Sequence, residues 1–205
     1  MALVKELQET DLKPFEAVLS VSPYYNKPTQ EGIYQHYRAL AQVSSKPLIL
    51  YNVPGRTGSN ILPETTLRLA RDFDNIIGVK EASGDMGQIQ QIIKGKPEDF
   101  LVLSGDDATA RETAHHGGDG VISVLAQAIP EFFTSMINTA LQGDRERAKT
   151  QEKQLMEAMD LIFQEGNPSG IKAMFEVLGL CKACVRLPLV EASDALKARI
   201  TRCVR

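Results

Sequence analysis

A lysine that ends a β-strand can do chemistry closed to a solvated one. As a neutral amine it attacks a ketone or aldehyde, and the resulting iminium acts as an electron sink. Lys80 closes the run Ile76-Ile77-Gly78-Val79-Lys80. The demand is steep, because an amine that starts near pKa 10.4 must fall to about 7, a cost of about 4 kcal/mol to be met by burial and neighbouring charge. An inward position above Gly78 would supply desolvation; a surface lysine, paired with Glu81 or solvated, is the alternative reading. Tyr51 and Asn52 end the preceding apolar run, and Tyr24, Tyr25 and Asn26 follow the one before it. Singly, each tyrosine reads as a packing residue with a wet hydroxyl. At neighbouring strand ends beside such a lysine, their hydroxyls can pass protons. Arg56, on the loop Gly55-Arg56-Thr57-Gly58, could grip a substrate carboxylate through two parallel hydrogen bonds, or could simply be solvated.

Such groups need a frame, and the hydrophobic pattern supplies one. Runs of strand length, rich in Val, Ile and Leu, cover residues 16–22, 47–53, 76–81, 100–105 and 120–124. Helical signals alternate with them. Thr29 can cap a helix with Ile33, Tyr37, Leu40 and Ala41 on one stripe, Pro63 fits the first turn of another, and Asp85 can cap a third. Alternating strands and helices predict a parallel sheet covered by helices. From residue 130 onward the pattern is helical only, with helices expected over 130–141, 144–163, 169–178 and 194–204. We therefore expect a partial barrel over 1–143 and C-terminal helices over 144–205.

Period-two alternation sets Ile77 and Val79 against Ile76, Gly78 and Lys80, and Leu101 and Leu103 against Val102, Ser104 and Asp106. Small and polar groups are thus expected to gather on one face near the strand C-termini. A flat doubly wound sheet would be apolar on both faces. A TIM-type barrel opens at its top, where strand C-termini carry the chemistry, and barrel geometry is the better reading. A five-stranded receiver-like sheet using Asp106 and Asp107 as an acidic pair is the weaker alternative; Asp106 and Asp107 also suit helix capping.

Composition narrows the classes. The chain has 205 residues, 43% hydrophobic and 24% charged, with a net charge of -3, which is ordinary for a globular protein. Lys and Arg are scattered without a basic run, so nucleic-acid and membrane partners are not expected. No apolar stretch approaches the roughly 20 residues needed to span a bilayer, and the first residues lack the pattern of a signal peptide, so a cytoplasmic protein is expected. Cys181, Cys184 and Cys203 do not make a disulfide framework, and Cys181-x-x-Cys184 lacks the second pair that a zinc site needs. His115 and His116, adjacent on a helix before Gly117 and Gly118, point in different directions and are not read as ligands.

Five segments carry a resemblance. Ser22-Pro23-Tyr24-Tyr25-Asn26-Lys27-Pro28, Tyr51-Asn52-Val53-Pro54-Gly55-Arg56-Thr57-Gly58, Gly78-Val79-Lys80-Glu81-Ala82-Ser83-Gly84, Leu103-Ser104-Gly105-Asp106-Asp107 and Gly120-Val121-Ile122-Ser123-Val124 lie in the order found in the dihydrodipicolinate synthase family, which the chain resembles across nearly its whole length. The resemblance implies a (β/α)8 class I aldolase-type lyase that condenses pyruvate with L-aspartate 4-semialdehyde in lysine and diaminopimelate synthesis. It needs neither metal nor organic cofactor, since the lysine itself bonds pyruvate. By that likeness Lys80 is the Schiff-base lysine and Tyr51 the proton donor and acceptor. Tyr25 is the relay tyrosine lent to a second copy in a homo-oligomer, Arg56 meets the semialdehyde carboxylate, Ile122 offers a backbone contact to pyruvate, and Tyr24 belongs to an allosteric lysine site. N-acetylneuraminate lyases share the lysine and the Tyr-Asn-x-Pro loop but typically lack an arginine at the position of Arg56. Five strands are read here against eight in a complete barrel. The chain is accordingly expected to begin in the helix after the family's third strand, without the family's threonine loop. Two open sheet edges are then expected, which pair with another copy or rearrange into an open sheet. The alternative function is a catalytically silent folding or assembly module.

Overall fold

The computed structural model describes residues 2–204 and contains two compact units, one ending at Ile122 and the other beginning at Ser123. In the first unit a short helix α1 (Ala2–Glu9) precedes five strands, β1 (Val18–Val21), β2 (Leu48–Asn52), β3 (Ile76–Glu81), β4 (Leu101–Ser104) and β5 (Gly120–Val121). The strands pair in sequence order, all parallel, as right-handed strand-helix-strand connections allow. The connecting helices are α2 (Gln30–Ala41), the single turn α3 (Pro54–Thr57), α4 (Pro63–Asp72), α5 (Met86–Gly95) and α6 (Asp107–His115). Among the described residues no helix is long and apolar enough to cross a membrane.

The caps read from the sequence are formed. The Thr29 side chain accepts from Gly32 N, Asp85 accepts from Gly87 N and Gln88 N, and Asp106 accepts from Ala108 N, each satisfying amides that a helix start leaves open. Two boundaries differ from expectation. Gly55-Arg56-Thr57 is not a loop but the turn α3, because Pro54 at its first position is pre-set for helix and Gly58 closes it in the left-handed region at φ 69°. The fifth strand stops at Val121; one more ladder bond, Ile122 N to Ser104 O at 2.9 Å, follows before the chain turns away.

The two faces of the sheet also differ from the sequence-based expectation. Leu48, Leu50, Ile76, Val79 and Val102 are buried in the core with Ile33, Tyr37 and Leu40 of α2 and with Ile89 and Ile92 of α5. Ile76 thus sides with Val79 rather than with Lys80. The cause is an irregularity in the β2–β3 pairing: Leu48 pairs with Ile76 but Ile49 pairs with Gly78, so Ile77 is skipped and the alternation slips by one there. The small and polar strand-end residues Ser20, Ser22, Asn52, Glu81 and Ser104 are buried on this core face too. The lysine's own face carries the more accessible Leu19, Val21, Ile49 and Leu103. One face packs against helices while the other is the lumen face of a barrel-type sheet.

The second unit is helical: a 3-10 turn (Leu125–Gln127), α7 (Pro130–Leu141), α8 (Arg145–Phe163), α9 (Ser169–Val177) and α10 (Asp194–Val204). Asp144 caps α8 by accepting from Arg147 N, and the buried stripe Ala148, Leu155, Met159 and Ile162 follows the helical period. Gln151 lies beside that stripe, where its side-chain amide donates to Ser135 Oγ at 2.8 Å. Gly179, at φ 72°, follows the end of α9.

Candidate active site

The parallel register sets Val21, Tyr51, Lys80, Leu103 and Gly120 side by side across the five strands, on the lumen face and at the C-terminal ends. In this row the Lys80 Nζ lies over the Tyr51 ring, 4.1 Å from its centroid. A cation over an aromatic face gains about 0.5 to 2 kcal/mol, which favours the ammonium. Burial works the other way and prevails: desolvation pulls the Lys80 pKa below its ordinary value, Asp107 opposes that, and Arg56 reinforces it. Burial raises the Tyr51 hydroxyl, with Arg56 opposing. The Lys80 stem runs against Gly105, where an added Cβ would stand 2.9 Å from Cε and 3.0 Å from Cγ. Gly78, two residues back, lies so close to β4 that a Cβ would meet the Leu101 carbonyl oxygen at 2.8 Å.

Lys80 is not paired with Glu81. Consecutive strand residues point to opposite faces, and the Glu81 carboxylate is fully buried on the core side. It accepts from Asn52 Nδ2 at 3.1 and 3.0 Å, from Ser83 N at 2.7 Å and from Gln88 Nε2 at 3.0 Å. Asn60 completes the group, accepting from Asn52 Nδ2 at 2.7 Å and donating to Gln88 Oε1 at 2.9 Å. Sequence reasoning missed this network. Alternation could have placed Asn52 and Glu81 behind Tyr51 and Lys80, but nothing local marks Asn60 or Gln88 as their partners. Asp107 was read as a capping candidate; Asp106 makes the cap, while Asp107 is buried within electrostatic reach of Lys80.

The other predicted residues lie further out. Arg56 is exposed on α3. Tyr25 is 89% exposed at φ 69°, a left-handed conformation that non-glycine residues adopt at a cost, and Tyr24 is 66% exposed. Ile122 is 40% exposed, with its amide bonded to Ser104 O. Lys80 and Tyr51 are therefore the predicted pair that stands in direct contact, with Arg56 near enough to bias both. Among the described residues no group of three or more His, Cys, Asp or Glu is placed to hold a metal ion.

The lowered Lys80 pKa has a consequence for stability. Between its folded value and 10.5 the unfolded chain binds more protons than the folded one, so this residue's contribution to stability rises with pH through that interval. Urea unfolding of wild type and Lys80→Met across the alkaline range should show the wild type gaining relative to the variant as pH approaches 10.5. A constant difference would contradict the lowered value.

A parallel strand-helix sheet with a half-buried lysine beside a tyrosine at its C-terminal end defines the aldolase type of barrel protein. The chain belongs to the dihydrodipicolinate synthetase family, whose model matches residues 4–205. It is 54% identical over 200 residues to the 4-hydroxy-tetrahydrodipicolinate synthase of Flavobacterium psychrophilum, covering 98% of this chain and 68% of that one. The crystal structure of dihydrodipicolinate synthase from Thermotoga maritima superposes with a TM-score of 0.94 at 37% identity, over 98% of this chain and 69% of the other. The chloride-inhibited dihydrodipicolinate synthase of Acinetobacter baumannii, complexed with pyruvate, superposes with a TM-score of 0.87 at 40% identity, over 92% of this chain and 65% of that one. The chain thus spans about two thirds of the length of these relatives. The partial barrel read from the sequence agrees with these structures.

Proposed function

We propose that the chain is a carbon-carbon lyase of the 4-hydroxy-tetrahydrodipicolinate synthase type, with Lys80 as the Schiff-base residue. The observation that carries this reading is the Lys80 amine, half-buried over Tyr51 at a strand C-terminus with its basicity reduced by burial. The neutral Nζ attacks C2 of pyruvate, the carbonyl oxygen leaves as water, and an iminium remains. Loss of a C3 proton gives an enamine, whose C3 attacks the aldehyde carbon of L-aspartate 4-semialdehyde. The amine of the second substrate then closes on C2 and frees Lys80. Each of these steps moves a proton, which the Tyr51 hydroxyl beside Nζ is placed to carry.

In the same proposal Arg56 meets the semialdehyde carboxylate, and Ile122 contacts pyruvate through its backbone. Tyr25, held out in solvent, serves a second copy in a homo-oligomer, and Tyr24 contributes to a lysine-responsive site. The reading includes a cytoplasmic setting in lysine and diaminopimelate synthesis and no metal or organic cofactor, the electron sink being the iminium itself. Incubation with pyruvate and borohydride, followed by peptide mass analysis, tests it: an adduct on Lys80 is expected. Its absence would leave the chain a non-catalytic folding or assembly module.

Gly105 bears on the same test. It is not among the positive-φ glycines, so the obstacle to alanine is contact, nearest with Ala82 Cβ at 2.8 Å and the Lys80 stem at 2.9 Å. Gly105→Ala should push the lysine stem aside and slow trapping by up to about 10²-fold, as ångström-scale misplacement does. Its melting temperature should fall by only a few degrees. Trapping at the wild-type rate would show that the stem has room to yield.

A further inference from the structure

We propose that the buried ring Asn52–Glu81–Gln88–Asn60, on the core face of the sheet, is a positioning element that holds Lys80 against Tyr51 on the opposite face. This rests on the reading of Lys80 as the reacting amine and assigns the ring no contact with substrate. The argument begins from register. Tyr51 pairs with Lys80, and the next pair along the same two strands is Asn52 with Glu81. Because neighbours on a strand point to opposite faces, fixing the second pair from behind fixes the direction of the first. The tie is double: Asn52 Nδ2 reaches both Glu81 carboxylate oxygens, and Ala82 N donates to Asn52 O at 2.8 Å. The ring also reaches beyond the strands. Asn52 Oδ1 accepts from Ile61 N at 3.0 Å, Ser83 N closes onto Glu81, and Gln88 brings in α5.

The Glu81 carboxylate accepts from the N–H groups of Asn52, Ser83 and Gln88, so its acceptor capacity is met by neutral donors. A carboxylate buried at that cost is expected to return something other than simple burial. Here it returns a fixed β2–β3 end. Among the described residues, the charged or titratable groups that reach Lys80 from surrounding elements are Tyr51 on β2, Arg56 on α3 and Asp107 on α6; β4 contributes Leu103 and the turn after it Gly105. Loosening the ring would let Lys80 swing from this enclosure into water, and its basicity would climb back towards that of an ordinary lysine.

The test is competitive acetylation of the whole chain across the alkaline range, with Lys80 reactivity read by peptide mass analysis against exposed lysines. Glu81→Gln presents an NH2 group to the amides of Ser83, Asn52 or Gln88, and should raise the Lys80 midpoint by about one pH unit, or about tenfold less neutral amine at fixed pH. The exchange Glu81→Gln with Gln88→Glu restores a donor-to-acceptor match and should return the midpoint to wild type. Gln88→Ala, which removes one arm and leaves the carboxylate its other bonds, should move it the same way by less, and serves if Glu81→Gln does not fold. Variants that melt earlier yet keep the wild-type midpoint would overturn the proposal, since a purely structural ring predicts that outcome. Pyruvate trapping of the wild type, run in parallel, reports on the Schiff-base reading alone: a shifted midpoint with no pyruvate adduct would keep the positioning role and reject that chemistry.

Discussion

Lys80→Ala loses the borohydride-trapped pyruvate adduct down to the background carried by exposed lysines, and Lys80→Arg loses it equally while keeping the charge. The expectation follows from the availability of neutral amine. At pH 7 a lysine near 10.5 is deprotonated in about three molecules per ten thousand, and each unit of lowering raises that fraction about tenfold. Desolvation pulls the Lys80 pKa down, whereas Glu191 and Glu176 hold that of Lys197 up. Arginine fills the space but stays protonated and cannot form the iminium. Folding should survive both changes, because Lys80 makes no ion pair with its strand neighbour Glu81, whose bonds lie on the other face. Circular dichroism and melting of each variant supply that control. An adduct that persists in Lys80→Ala, or that maps to another lysine, would reject the assignment.

Gly78→Val should cost about 3 kcal/mol in urea unfolding and remove pyruvate trapping as well. Introducing bulk into a packed interior costs about 1 to 3 kcal/mol when side chains can adjust, and the upper end applies where they cannot. At Gly78 the first obstacle is backbone: a Cβ would stand 2.8 Å from the Leu101 carbonyl oxygen and 2.9 Å from Leu101 Cβ. Relief requires β3 to move away from β4 at the point where Gly78 pairs with Leu101, two residues before Lys80 pairs with Leu103. Gly55→Ala is the matched control, since nothing lies within 4 Å of its added Cβ. Equal stability of the Gly78 and Gly55 variants would mean that the two strands are not as tightly apposed as described.

Much of the frame was legible because its signals are local. Thr29, Asp85 and Asp106 announce helix starts by the bonds their side chains make, and the five apolar runs became five parallel strands. The pairing of Lys80 with Tyr51 was legible too, as two strand ends. The facing of the strands was not. A single skipped residue, Ile77, reversed the expected side of Ile76, and no local pattern announces such a slip. Likewise Ser104 looked like a lumen residue because polar groups are expected where water is, whereas it is buried on the core face. Hydrogen bonding between distant segments, such as Asn60 with Gln88, is decided only when the chain has folded. Arg56 was placed on the right segment but in the wrong geometry, because Pro54 and Gly58 together convert a short loop into a helical turn.

That turn has its own consequence. Its amides bond locally, Arg56 N and Thr57 N to Val53 O and Gly58 N to Pro54 O, while Gly58 rests on the Lys27 side chain, so its shape owes little to the bonds behind Lys80. The turn that carries Arg56 and the support behind Lys80 are therefore built separately. Changing the guanidinium would leave both frameworks standing and act on the amine through charge alone, since Arg56 helps to lower the Lys80 pKa; under the proposed function the same change would alter which aldehyde is accepted, so reactant choice and bond-making are coupled by electrostatics and not by shape.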